Sequence, residues 1–240
     1  MNVFQIYLTE DEGALPPVMK ARSETVAALF ANATHILHTN TSLRNFIRDN
    51  YPEDVLNAYD KLVPYAYKAD LARYCLINKM GGWYFDIGLY TALKSVVIQG
   101  IENLDMIVFS DMHKFTGSIW SAINGCLYSK PDNPVLQKAI DLIVKNCKTE
   151  YYGRTILDPT GPNLFGRAIA EVGGDMNILY GSHIELTPGF KFTNEAIVMP
   201  DGVILAYCKN GVGADLTCLG GKGVNNYAEL WRSRKVYTTQ

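Results

Sequence analysis

The chain has 240 residues, 48% hydrophobic and 19% charged, with a net charge of −2 and a pI near 6.1. That length supports one well-buried core, a single domain with at most a small appendage. The near-neutral balance leaves no field to recruit nucleic acid, so an anionic ligand must be met by local donors.

Residues 3–8 alternate as a strand and open into an acidic, proline-containing loop at 10–17. Residues 18–31 read as a helix, 35–38 as a short second strand, and 43–58 as one or two short helices. Residues 64–80 repeat apolar positions at a mostly helical spacing and stop at Gly81-Gly82, in the manner of a C-cap. Residues 83–87 form a bulky strand, and 106–109 and 123–128 two more. Pro134 to Cys147 is an amphipathic helix with Asp132 or Asn133 placed to cap it. A short helix follows Gly161-Pro162 through Ala170, then brief strands at 178–180 and 184–186, and a hairpin of 196–199 with 203–207 turned by Pro200-Asp201-Gly202. Residues 210–226, rich in glycine and asparagine, read as a mobile loop. With strands alternating with helices and no internal repeat, the expectation is one α/β domain over 1–240, with 208–240 as an irregular C-terminal flap over the site.

Cys75, Cys126, Cys147, Cys208 and Cys218 are odd in number, with no CxxC pair and no matching histidine cluster, and read as reduced cytosolic thiols. His35, His38 and His183 form no metal-ligand spacing, and no Cys-His or Ser-His-Asp arrangement follows from spacing. The opening residues lack a basic n-region and meet Glu10-Asp11-Glu12 too early for a signal peptide. No apolar run approaches the ~20 residues of a membrane span. A soluble, cytoplasmic protein is expected, with peripheral association at the inner face of a membrane left open.

The most informative stretch is Ala69-Asp70-Leu71-Ala72-Arg73-Tyr74 followed by Gly81-Gly82-Trp83-Tyr84-Phe85-Asp86-Ile87-Gly88. It joins a charged helix to a buried strand ending in a carboxylate, at the end of the strand where open α/β sheets bind ligands. Asp70 and Arg73, three apart, project from one helix face and reach one ligand together. Without further context they read as a surface ion pair worth about a few tenths of a kcal/mol.

This run resembles the DXD-containing glycosyltransferases, which include fungal initiating α-1,6-mannosyltransferases, bacterial capsular and lipopolysaccharide sugar transferases, and glucosylating toxin domains. Phe4-Gln5-Ile6-Tyr7 looks like that family's opening strand, Asn124 followed by Pro134 like its central strand and helix, and Thr160-Gly161-Pro162 like its TGP. The segment from Asn225 to Trp231 looks like its C-terminal Ser-Trp region. The resemblance implies a GT-A type nucleotide-sugar fold, a single open mixed sheet flanked by helices. It implies a retaining hexosyltransferase that moves a hexose from a UDP-sugar, favoured over GDP-mannose, to a glycan or lipid-linked glycan with an α linkage, as in polysaccharide biosynthesis. The site residues it implies are Asp70, Arg73, Tyr84 and Asp86 on the donor, Tyr7 on the nucleobase, Asn124 on the transferring sugar and Trp231 over the leaving phosphate. Asp111 and His113 are positioned to address the acceptor, with loops 111–121 and 151–158 around it.

The sequence departs from the pattern at the second aspartate of Asp-x-Asp, the usual ligand of Mn²⁺ or Mg²⁺, which is Gly88 here. Three outcomes follow. The cation is held by Asp86 with Asn226, Glu229 or water; or it is replaced by a basic group, with Lys222 between glycines as the candidate; or the chain binds a sugar nucleotide and transfers nothing. The alternatives to a glycan-building enzyme are therefore a catalytically inactive sugar-nucleotide-binding module and a toxin-like transferase that modifies protein.

Overall fold

The computed structural model describes residues 1–10, 12–190, 193–209, 216–221 and 225–238, except for the side chains of residues 114, 115 and 190. The elements run β1 (Asn2–Ile6), α1 (Pro17–Ala27), β2 (Thr34–His38), α2 (Asn40–Asn50), α3 (Glu53–Lys61), α4 (Tyr65–Met80), β3 (Gly82–Phe85), β4 (Met106–Ser110), α5 (His113–Thr116), β5 (Ala122–Ser129), α6 (Pro134–Thr149), α7 (Pro162–Val172), β6 (Ile178–Phe190), β7 (Thr193–Val198), β8 (Ile204–Tyr207) and α8 (Tyr227–Arg232). The strands form one mixed eight-stranded sheet in the order β2-β1-β3-β5-β4-β6-β7-β8.

Both faces of the sheet are covered, which is why its central strands read as bulky apolar runs. Phe4, Tyr84 and Leu127 point into a core filled by Leu71, Leu76, Ile140 and Phe165 from α4, α6 and α7. Val3, Trp83, Phe85 and Phe109 point the other way, onto Val26, Leu29 and Phe30 from and just past α1. Helix α4 is buried nearly all round, from Tyr67 through Asn78, so its sequence shows little polar face. It ends at Gly81, whose φ of 62° favours glycine and where a Cβ would stand 2.7 Å from Pro131 Cδ.

Asn133 caps α6, its side-chain oxygen accepting from the N–H of Val135 at 2.9 Å and of Leu136 at 3.4 Å. Asn133→Ala is expected to cost about 1–2 kcal/mol by orphaning those donors, read as a lower denaturant midpoint at constant m; an unchanged midpoint would remove the cap from the account.

Two expectations change. The brief strands at 178–180 and 184–186 are one strand, β6, because it pairs with β4 through Ser182 and with β7 from there on. Gly181 interrupts the apolar pattern for a steric reason, since a Cβ there would run into Phe109 and the Val198 carbonyl. The first helix stops at Ala27 rather than near 31, and the residues beyond it turn toward β2. Most of the loop expected at 210–226 lies outside the described residues. No helix among the described residues is long and apolar enough to cross a membrane.

Strand direction places the chemistry. β1, β3, β4, β6 and β8 share one direction through their pairings, so Tyr7, Asp86, Asp111 and Cys208 leave their strands at one edge, where His183 also lies. β5 enters the sheet at that same edge with Asn124 and Gly125, and the Asp86 N–H donates to the Gly125 carbonyl at 2.7 Å.

Candidate active site

At the centre of this edge Arg73 is a buried guanidinium shared by two carboxylates. Its Nη2 lies 3.1 Å from Asp70 Oδ1 and its Nη1 3.3 Å from Asp86 Oδ1, while Nη1 also donates to the Asn124 carbonyl at 2.8 Å. The guanidinium stacks over the Tyr84 ring at 4.6 Å. Asp70 accepts from the Asn124 amide at 2.8 Å on Oδ1 and from the Thr160 hydroxyl at 2.7 Å on Oδ2. Tyr84 donates its phenol to Asp86 Oδ1 at 2.8 Å, and the Asn124 amide also reaches the Tyr74 hydroxyl at 3.0 Å.

Asp70 and Arg73 are thus no surface pair: their side chains are 10% and 5% exposed, whereas Asp86 is 47% exposed. Burial pushes the Asp70 carboxyl up against the opposing pull of Arg73. Burial also works against the Arg73 charge, and Asp86, Tyr84 and Asp70 overcome it and hold it charged. Three donors, from Arg73, Asn124 and Thr160, aim at the Asp70 oxygens and oppose the upward push there. The arrangement presents one solvent-facing acid, Asp86, on an interior that fixes its orientation.

The other expected site residues, where described, lie on or beside other elements. Tyr7 is buried against Met19, Ile87 and Leu219. Trp231 lies on α8 and donates its indole N–H to the Tyr152 carbonyl at 2.8 Å. Asn226 spends its side-chain oxygen capping α8, accepting from Ala228 and Glu229. His113 is exposed. Lys222 lies outside the described residues. Asn225 accepts from Tyr65 N and donates to the Val63 carbonyl, both at 2.9 Å, at the start of α4.

Sequence reasoning missed Thr160 as the partner of Asp70, although the TGP resemblance marked it. It also missed Arg22, which donates to the Gly88 carbonyl at 2.5 Å, and Lys209, against whose Cδ a Cβ on Gly88 would stand at 3.0 Å. The Lys209 ammonium is buried. The residues at Gly88 do not suit a divalent cation of the DXD kind. The second carboxylate is missing, the Oδ1 of Asp86 already takes Tyr84 and Arg73, and two basic side chains close on Gly88 itself.

Residues 8–101 match the family described as the glycosyltransferase sugar-binding region containing DXD motif. The chain resembles a DXD-type glycosyltransferase. It is 31% identical over 133 residues to an uncharacterized glycosyltransferase of Acanthamoeba polyphaga mimivirus, an alignment that covers 55% of this chain and 49% of that one. The chain therefore spans about half the length of the curated relative it matches. Its structure is similar to that of the PaToxG glycosyltransferase, with a TM-score of 0.50 and 17% identity over 72% of this chain and 69% of that one. At that identity the likeness speaks for the fold, and the expected GT-A type α/β fold with one open mixed sheet is borne out. DXD-type families typically use a divalent cation, which makes the composition around Gly88 a departure.

Proposed function

We propose that the chain is a retaining hexosyltransferase that takes its sugar from a nucleotide sugar, a UDP-sugar before GDP-mannose, and passes it to a glycan or lipid-linked glycan. The observation that supports it is the Asp70–Arg73–Asp86–Asn124 network at the carboxyl edge of the sheet, set within the DXD-type region. Asp86 and Tyr84 meet the ribose and donor sugar, Asp70 and Arg73 hold the hexose, Asn124 and Trp231 complete the sugar and phosphate contacts, and the base falls on Tyr7. In the transfer the bond from C1 to the diphosphate oxygen breaks, and a bond from C1 to an acceptor hydroxyl oxygen forms on the same face. The acceptor proton passes to the departing phosphate. Fixed cations stabilise the charge that builds on that phosphate, and Arg22 and Lys209 beside Gly88 supply them in our reading, with Lys222 as a further donor.

The acceptor side is a cleft of about 480 Å³ lined by Ser110, Trp120, Ser121, Ala122, Gly166 and Tyr180. Trp120 and Tyr180, each 50% exposed, offer flat faces suited to stacking on sugar rings. A single cytoplasmic domain over 1–240 with 208–240 closing on the donor, able to meet a lipid-linked acceptor at the inner face of a membrane, completes the reading.

A panel of UDP- and GDP-sugars tests it, scored by thermal shift and by donor hydrolysis in a chelator and in Mn²⁺. The expected result is a raised Tm with UDP-sugars and hydrolysis that persists in the chelator. Gly88→Asp, which sets a carboxylate against Lys209, is expected to weaken donor binding at least about tenfold, roughly 1.4 kcal/mol. Hydrolysis abolished by the chelator would overturn the fixed-cation reading and return the charge to a metal on Asp86, Asn226 and Glu229. Donor binding with no turnover across acceptors would identify an inactive binding module, and no donor binding at all would overturn the proposal.

A further inference from the structure

Four polar residues at the far end of the same edge come together without any part in the donor site. His183 on β6 has its Nδ1 2.9 Å from Asp111 Oδ1, and its Nε2 3.3 Å from Glu195 Oε2 on β7 and 3.6 Å from Cys208 Sγ, just past β8. The ligand atoms of His183, Glu195 and Cys208 all lie within 4.8 Å of one another. We propose that these three side chains bind a zinc ion, with Asp111 as the outer carboxylate that orients the imidazole.

The two separations from the imidazole are those a tetrahedral centre demands, and the Glu195 and Cys208 ligand atoms lie within 4.8 Å of each other. Zinc bonds of about 2.0–2.1 Å to nitrogen and oxygen and about 2.3 Å to sulfur put N and O about 3.3 Å apart and N and S about 3.5 Å apart. A thiolate, an imidazole and a carboxylate form a donor set that selects zinc over magnesium or manganese, which prefer oxygen alone. Asp111 on the second ring nitrogen fixes which nitrogen faces the metal, the usual arrangement around histidine ligands.

The backbone under these ligands is fixed before any metal arrives. Cys208 N donates to the Glu195 carbonyl at 3.0 Å, and the Thr193 hydroxyl donates to the Cys208 carbonyl at 2.6 Å. His183, Asp111 and Cys208 are nearly enclosed, while Glu195 is 31% exposed and gives the entry path and a fourth position for water. A Cys–His–Asp nucleophile is the other chemistry this geometry suggests. It is disfavoured because Glu195 competes with the thiol for the same Nε2, a rivalry that a shared metal resolves.

The site is independent of the sugar-nucleotide reading, since none of its ligands belongs to the donor network. Cys208 nonetheless precedes Lys209, so the metal would anchor the strand end that carries a cation to Gly88.

The test is equilibrium dialysis of the metal-free full chain against Zn²⁺, Mg²⁺ or Mn²⁺, with Co²⁺ as a spectroscopic probe. One zinc per chain is expected, with no comparable uptake of the other two, and the cobalt form should show thiolate-to-metal charge transfer. His183→Ala and Cys208→Ser should each lose at least tenfold in zinc affinity, and Asp111→Asn about 10–100-fold. Cys218→Ser, at an exposed thiol, should bind as the wild type. Circular dichroism of each metal-free variant checks that it is folded, and Glu195→Gln replaces any that is not. Failure of the wild type to bind zinc, undiminished binding in folded Cys208→Ser or His183→Ala, or a charge-transfer band that survives in Cys208→Ser would each overturn the site. So would alkylation of Cys208 at the same rate with and without zinc.

Discussion

Arg73→Ala is expected to lower stability by about 3–5 kcal/mol and to abolish donor hydrolysis. The guanidinium is enclosed between Asp70 and Asp86 and tied to the Asn124 carbonyl. Truncation leaves Asp70 as a buried carboxylate without a cation, and removes the stack on Tyr84. An uncompensated buried charge costs far more than the pair itself contributes. Arg73→Lys separates scaffold from site: an ammonium supplies the charge but cannot fork to both carboxylates. It should recover part of the stability while hydrolysis stays depressed. Guanidinium denaturation and a coupled nucleoside-diphosphate assay read the two effects. An alanine variant within about 1 kcal/mol of wild type would show that the pair does not hold the fold, contrary to the penalty for a buried charge.

Asp86→Asn should show the opposite pattern. Its carboxylate is about half exposed, so losing the charge should cost about 1 kcal/mol or less. If Asp86 faces the donor, hydrolysis should fall by about 10²–10³-fold, the range for deleting one preorganised electrostatic group. The neighbouring geometry makes the position exacting, because a Cβ on Gly125 would stand 2.5 Å from Asp86 Oδ2. A full Tm with lost turnover is the expected signature; turnover within a few-fold of wild type would remove Asp86 from the donor site.

The parts of this molecule that could be read in the sequence are those whose cause is local. Gly81-Gly82 marked the end of α4, Asn133 the start of α6, and the bulky run from Trp83 the central strand, because capping, φ preference and strand periodicity act over a few residues. The pairing of Asp70 with Arg73 was legible from helical spacing, but its burial was not. Burial comes from Asn124 on β5 and Thr160 before α7, whose approach is a matter of packing. His183, Glu195, Cys208 and Asp111 looked unrelated for the same reason: each comes from a different strand or strand end, and only the sheet order brings them together. Gly88 looked like a lost ligand. In the structure the space beside it is taken by Lys209, from the far end of the sheet.

The clamp of Asn225 on the first turn of α4 has a consequence for biosynthesis. Val63 N donates to the Val236 carbonyl and Thr238 N to the Lys61 carbonyl, so the segment leading into α4 is completed by residues 225–238. A ribosome delivers the amino-terminal strands first. The leading turn of α4 then stays hydrated until residues 225–238 have emerged to join it. A nascent chain therefore lacks these caps on the helix that carries Asp70 and Arg73 until residues 225–238 are in place.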